Sequence, residues 1–137
     1  MMTEISLNVL DVSENSTRAG ASIVTILVTA DTSADKLTIV IADNGCGMTP
    51  EQAAHVTDPF FTTRTTRKVG LGIPFFKYAA ESTGGSFHIE SEPGKGTTVT
   101  AVFGLSHIDR MPLGDMNATI HNLIVYHPDT DFLYTYT

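Results

Sequence analysis

Apolar residues recur with two different periods along the chain. Over residues 3–19, Ile5, Val9, Val12 and Leu10 fall near one stripe of a helix, and Gly20 suits the position just past its end. The period then changes. "SIVTILVTA" (22–30) alternates and is rich in β-branched residues, as is "KLTIVIA" (36–42), and the polar link "DTSAD" predicts a hairpin. A short helix is expected from Pro50 with Thr49 as its cap. "DPFFTTRTTRKV" (58–69) has no period and reads as a loop. A helix is expected from about Ile73, with Pro74 in its first turn and Gly84–Gly85 at its end. "SFHIESEPGKGTTVTAVF" predicts a second hairpin around Pro93-Gly94-Lys95-Gly96. A last helix from about Asp115 to Tyr126 is stopped by Pro128, and "DFLYTY" reads as a terminal strand.

Strands that arrive as hairpins build a mixed, mostly antiparallel sheet. Helices of this number cover one face of it. The expected class is therefore α/β (α+β), a two-layer sandwich. The chain stops inside or just after a strand, the pattern of a fragment of a slightly longer protein.

Composition narrows the function. The chain has 137 residues, 42% of them hydrophobic and 17% charged, which is the profile of a globular domain. No run of 18 apolar residues exists and the N-terminus lacks a signal pattern, so a cytoplasmic protein without a membrane partner is expected. A net charge of −7 argues against nucleic acid as a partner. Cys46 is the single cysteine and can staple nothing. The five histidines lack metal spacing.

Three stretches carry candidate chemistry. In "DNGCGM", Asp43 can only accept hydrogen bonds, so it suits a ligand that donates, such as an adenine amine. Gly45 and Gly47 would let the backbone approach a flat ring, although taken alone the motif is better explained by an Asn-Gly turn at a strand end. In "VGLGIPFF", Gly70 and Gly72 precede a helix start, where free N–H groups favour an anion. Arg64, Arg67 and Lys68 and the threonines Thr62, Thr63, Thr65 and Thr66 lie just before, as in a lid over a polyphosphate. In the first helix, Asp11 and Asn15 share a face about 6 Å apart. The Asn15 carbonyl oxygen suits Mg²⁺, and Asp11 could hold or deprotonate a water.

The order of "ENSxxAGA", "DNGCGM", "DPFFTTR", "GLGI" and "GKGTTVTAVF" resembles the GHKL (Bergerat-fold) ATP-binding family of gyrase B subunits, heat-shock chaperones, sensor histidine kinases and mismatch-repair ATPases. The resemblance covers residues 3–103. It implies an ATP-binding core over 1–103 and a helix–strand extension of the same domain over 104–137. The run "SHIDRMPLGDM" resembles the tail of small stand-alone members encoded near iron–iron hydrogenase genes.

The resemblance also implies roles. Asn15 would hold Mg²⁺. Asp43 would accept from the adenine amine of ATP or ADP, joined by Thr97 through a water. Gly45, Gly47 and Met48 would line the adenine pocket. Gly70, Leu71 and Gly72 would wrap the phosphates, with Thr62, Thr63, Arg64, Arg67 and Lys68 on the lid. Phe60, with Phe61, would anchor that lid. Such a site requires a cavity joining Asp43 to Asn15 and Gly72. Asp11 stands where the family usually places a longer glutamate, which implies slow or partner-dependent turnover. Glu14 points roughly 100° away from Asn15 and reads as a solvent-face residue.

The function expected from the resemblance is thus a regulatory, histidine-kinase-like nucleotide-binding protein with an unidentified protein partner. Homodimerisation is left open. An anti-sigma-type serine/threonine kinase and a non-catalytic ATP- or ADP-sensing module are the alternatives.

Overall fold

In the computed structural model, which describes residues 4–56, 72–107 and 109–137, the two periods become two layers. The helix α1 (Ile5–Arg18) leads into the strands β1 (Ile23–Asp31) and β2 (Lys36–Asp43). The short helix α2 (Pro50–Val56) follows, then α3 (Gly72–Glu81), β3 (Ser86–Glu92), β4 (Gly96–Gly104), α4 (Met116–Tyr126) and β5 (Asp131–Tyr136). The strands form one sheet in the order β3-β4-β2-β1-β5. Both expected hairpins are antiparallel, β2 pairs antiparallel with β4, and β5 lies parallel to β1. The expected loop over 58–69 lies outside the described residues.

Local chemistry fixes several element ends. Thr49 Oγ1 accepts from the Gln52 N–H at 3.1 Å, while Gln52 Oε1 accepts from the Thr49 N–H at 2.9 Å. That reciprocal pair satisfies otherwise orphaned donors at the start of α2. Asp115 caps α4 through Ala118 at 2.9 Å.

Alternation puts Val24, Ile26 and Val28 of β1, Leu37, Ile39 and Ile41 of β2, and Val99, Ala101 and Phe103 of β4 on one buried face. The register lines these up in cross-strand rows. One reads Tyr134, Ile26, Ile41, Val99, Ile89, and the next reads Tyr136, Val28, Ile39, Ala101, Phe87. Against them pack Ile5, Val9 and Val12 of α1, Ile73, Phe76 and Ala80 of α3, and Met116 and Leu123 of α4. Phe76 sits at the centre of an aromatic cluster, with ring centroids 6.3 Å from Phe87 and 5.9 Å from Phe103. Each such side chain contributes about 1.5–3 kcal/mol by leaving water.

One row breaks the pattern. Phe132 and Val24 continue into Asp43, Thr97 and Ser91. The inward face of the sheet is therefore apolar along most of its length and polar at one end.

The C-terminal segment docks on this frame. β5 pairs with β1, and His127 at the end of α4 bonds Glu14 of α1 through its Nε2. Glu14 is consequently half-buried, not on a solvent face, because the α4–β5 connection comes back over α1. No described helix is long and apolar enough to cross a membrane.

Asn8 of α1 is fully buried, and among the described residues neither its amide nitrogen nor its oxygen has a hydrogen-bond partner. Such an orphan costs about 1–3 kcal/mol. Asn8→Leu, which keeps the branched outline of the side chain without its polar atoms, is expected to raise the unfolding free energy by about that amount in urea denaturation. A less stable variant would show that the amide is bonded.

Candidate functional site

β2 ends in Asp43, and the polar end of the sheet is built outward from its carboxylate. Oδ2 accepts from Ser16 Oγ of α1 at 2.7 Å, and Oδ1 accepts from the Gly45 N–H at 2.8 Å. A carboxylate offers about four acceptor positions, so further donors can be taken.

The turn after Asp43 is held on every side. Asn44 Oδ1 accepts from the N–H groups of Ser22 and Ile23 at 2.9 and 3.0 Å, tying the turn to the start of β1. The Cys46 N–H donates to the Ala19 carbonyl at 2.9 Å, and the Cys46 carbonyl accepts from Gly94 at 2.7 Å. The Met48 N–H donates to Ser91 Oγ at 2.7 Å. Gly47 sits at φ +70° against the β3–β4 hairpin, and a Cβ there would lie 2.0 Å from the Glu92 carbonyl oxygen. Only glycine fits that approach. The motif is thus more than a turn: it knits the end of α1, the start of β1 and the β3–β4 hairpin around one carboxylate.

A cavity of about 780 Å³ opens beside it. Asp43, Thr97 and Ser91 form its polar wall, Phe87 and Ile89 its apolar wall, and Pro50, Ala53 and Ala54 of α2 face them. Lys77, Glu90, Glu92 and Lys95 also border it. That volume lies in the range of about 300–1,000 Å³ usual for small-molecule sites. Ser91 Oγ and Thr97 Oγ1 are 2.8 Å apart.

The structure brings together only part of the expected set. Asp43 and Thr97 line the cavity; Gly45, Gly47 and Met48 form the turn next to it without lining it. Gly72 opens α3 against α1, where a Cβ would come within 2.7 Å of Asp11 Cβ. Asp11 and Gly72 are therefore neighbours. Asn15 is half-buried one turn beyond Asp11, and its Oδ1 accepts from the Arg18 guanidinium at 2.8 Å. Neither Asn15 nor Gly72 lines the cavity, so the expected junction with Asp43 is not made by the described residues. Phe60, Thr62, Thr63, Arg64, Arg67, Lys68, Gly70 and Leu71 lie outside the described residues.

Ser16, Asn44 and Ser91 were missed from sequence. The signal was present for two of them. Ser16 continues the buried stripe of Val9 and Val12, and Ser91 continues the inward register of Phe87 and Ile89. A polar residue that falls in step with core positions needs a partner there.

Residues 1–107 match the family model described as histidine kinase-, DNA gyrase B-, and HSP90-like ATPase. Sensor protein SrrB of Staphylococcus aureus strains NCTC 8325 / PS 47 and COL is 33% identical over 102 residues, covering 71% of this chain. The chain spans 17% of the length of each of these relatives.

Burial raises the Asp11 carboxyl above its ordinary value of 3.8, Arg18 opposes the shift, and Glu14 adds to it. The folded group therefore binds its proton more tightly than the unfolded one. Charged Asp11 weakens the fold at pH above both values, and the penalty disappears as pH falls through them. Asp11→Asn is expected to be more stable than the parent near neutral pH in thermal denaturation. Its advantage should shrink as pH falls towards 3.8. A pH-independent difference would assign it to something other than the buried charge.

Proposed function

The chain belongs to the histidine kinase-, DNA gyrase B- and HSP90-like ATPase family, and from that premise we propose that it binds an adenine nucleotide with Mg²⁺ as a regulatory nucleotide-binding protein. The observation that carries the reading is the polar row at the end of an otherwise apolar sheet face. Asp43 and Thr97 are direct cross-strand neighbours and both border the cavity. Asp43 keeps acceptor capacity after its bonds to Ser16 and Gly45. An adenine amine is a donor of the kind such a wall selects.

Mg²⁺ takes oxygen ligands and keeps several waters. The Asn15 carbonyl oxygen has that chemistry and would hold it once the Arg18 guanidinium it now accepts from swings away, and the bound ion would neutralise phosphate charge. Asp11, one turn away and beside Gly72, is the candidate base for an attacking water. Its burial favours proton uptake, but its side chain is one methylene shorter than a glutamate. Turnover on this reading is slow or depends on a partner protein that reads the nucleotide state in the cytoplasm.

Calorimetry is expected to give tighter binding of ATP than of GTP to the parent protein. Asp43→Asn should weaken ATP by about tenfold or more, the worth of a hydrogen bond to a charged group, and leave inorganic triphosphate nearly unaffected. Equal affinity of the parent for ATP and GTP would overturn the adenine role of Asp43.

A further inference from the structure

Ser91 makes three polar contacts with a single hydroxyl hydrogen. Its Oγ lies 2.7 Å from the Met48 nitrogen, 3.0 Å from the Gly96 carbonyl oxygen and 2.8 Å from Thr97 Oγ1. The chemistry of the partners fixes the direction of two of the three bonds, and counting hydrogens assigns the third. A backbone N–H can only donate, so Ser91 accepts from Met48. A carbonyl can only accept, so the one hydrogen of Ser91 goes to Gly96. The Ser91–Thr97 contact by itself allows either hydroxyl to donate; with the Ser91 hydrogen on Gly96, Thr97 is the donor and Ser91 accepts on its second lone pair. The Thr97 hydroxyl hydrogen is thereby turned towards Ser91, and only lone pairs remain for the cavity.

We infer that Ser91 is a specificity-determining positioning residue: it fixes Thr97 as an acceptor, so that the Asp43–Thr97 wall selects a purine with an amino group, rather than a carbonyl, at the position facing it. The inference rests on the adenine reading of that wall. Adenine places an amino group, with two donors, where guanine places a carbonyl acceptor. Two acceptors facing that carbonyl, or facing a water that must donate to it as well as to them, leave lone pairs opposed. A free Thr97 hydroxyl would rotate and donate to guanine instead. A site built from committed hydrogen-bond groups discriminates more sharply than one whose groups can adapt.

The geometry around Ser91 supports a fixed arrangement. Ser91 and Thr97 are register partners on adjacent strands, so the two hydroxyls are held by the sheet ladder rather than by flexible chain. The same oxygen holds the Met48 amide, which joins the turn after Asp43 to the orientation of Thr97. In the register Asp43 lies next to Thr97 and Thr97 next to Ser91, which makes Ser91 the outermost member of the polar row.

The test is the ratio of GTP to ATP dissociation constants, measured by calorimetry on the parent and on Ser91→Ala, Ser91→Cys and Ser91→Thr. Losing the orientation of one hydrogen bond should lower the ATP preference by about fivefold to tenfold in Ser91→Ala. Ser91→Thr, which keeps the hydroxyl, should restore most of it. Ser91→Cys is close in shape and a poor acceptor, so it should also lose preference, and it carries the test if the alanine variant does not fold. A purely structural role would weaken both nucleotides equally and leave the ratio unchanged, which would overturn the inference. A preference retained in both Ser91→Ala and Ser91→Cys would overturn it too, while leaving the adenine role of Asp43 intact. A parent protein without ATP preference would remove both.

Discussion

A carboxylate at the end of an apolar sheet face must find donors, and the arrangement around Asp43 follows from that need. Ser16 reaches it from α1 and the Gly45 amide reaches it from the following turn. To supply the first donor, α1 must put a hydroxyl in step with Val9 and Val12. To supply the second, the chain must fold back immediately after β2. The polar end of the core and the sharp turn are thus two consequences of one acidic residue.

The turn also brings distant segments together. Ala19, Ser22, Ile23, Ser91, Glu92 and Gly94 all touch residues 44–48. Helix, first hairpin and second hairpin are therefore coupled where the cavity begins. A ligand that displaced this turn would act on all three. The docking of His127 on Glu14 extends the same helix surface to the C-terminal α4 and β5, so residues next to Asn15 are mechanically joined to the far edge of the sheet.

Much of this was legible in the sequence because it rests on local periodicity. The hairpins, the Thr49 cap and the helix from Met116 follow from alternation, turn residues and caps, and the structure places each within a residue or two. The parallel pairing of β5 with β1 and the insertion of β4 beside β2 were not legible. They are set by which apolar faces meet, and no short window of sequence records that. The site divides the same way. Asp43 and Gly47 stand out by type and spacing, whereas Thr97 is named only through the family resemblance. Ser91 matters because of the cross-strand row it completes and Ser16 because it reaches Asp43 from α1; their in-step positions are visible in the sequence, but the partners they meet appear only once the pairing is known. Glu14 was misread because its partner is more than a hundred residues away.

The most direct test of a nucleotide at the polar end of the sheet is an amide NMR titration with Mg·ADP. The largest shifts are expected at Gly45, Gly47, Met48, Thr97 and Thr98, with Leu27 and Thr135 on the opposite sheet face unmoved. Shifts concentrated on that opposite face, or on β5, with Gly45 and Thr97 silent, would contradict the placement.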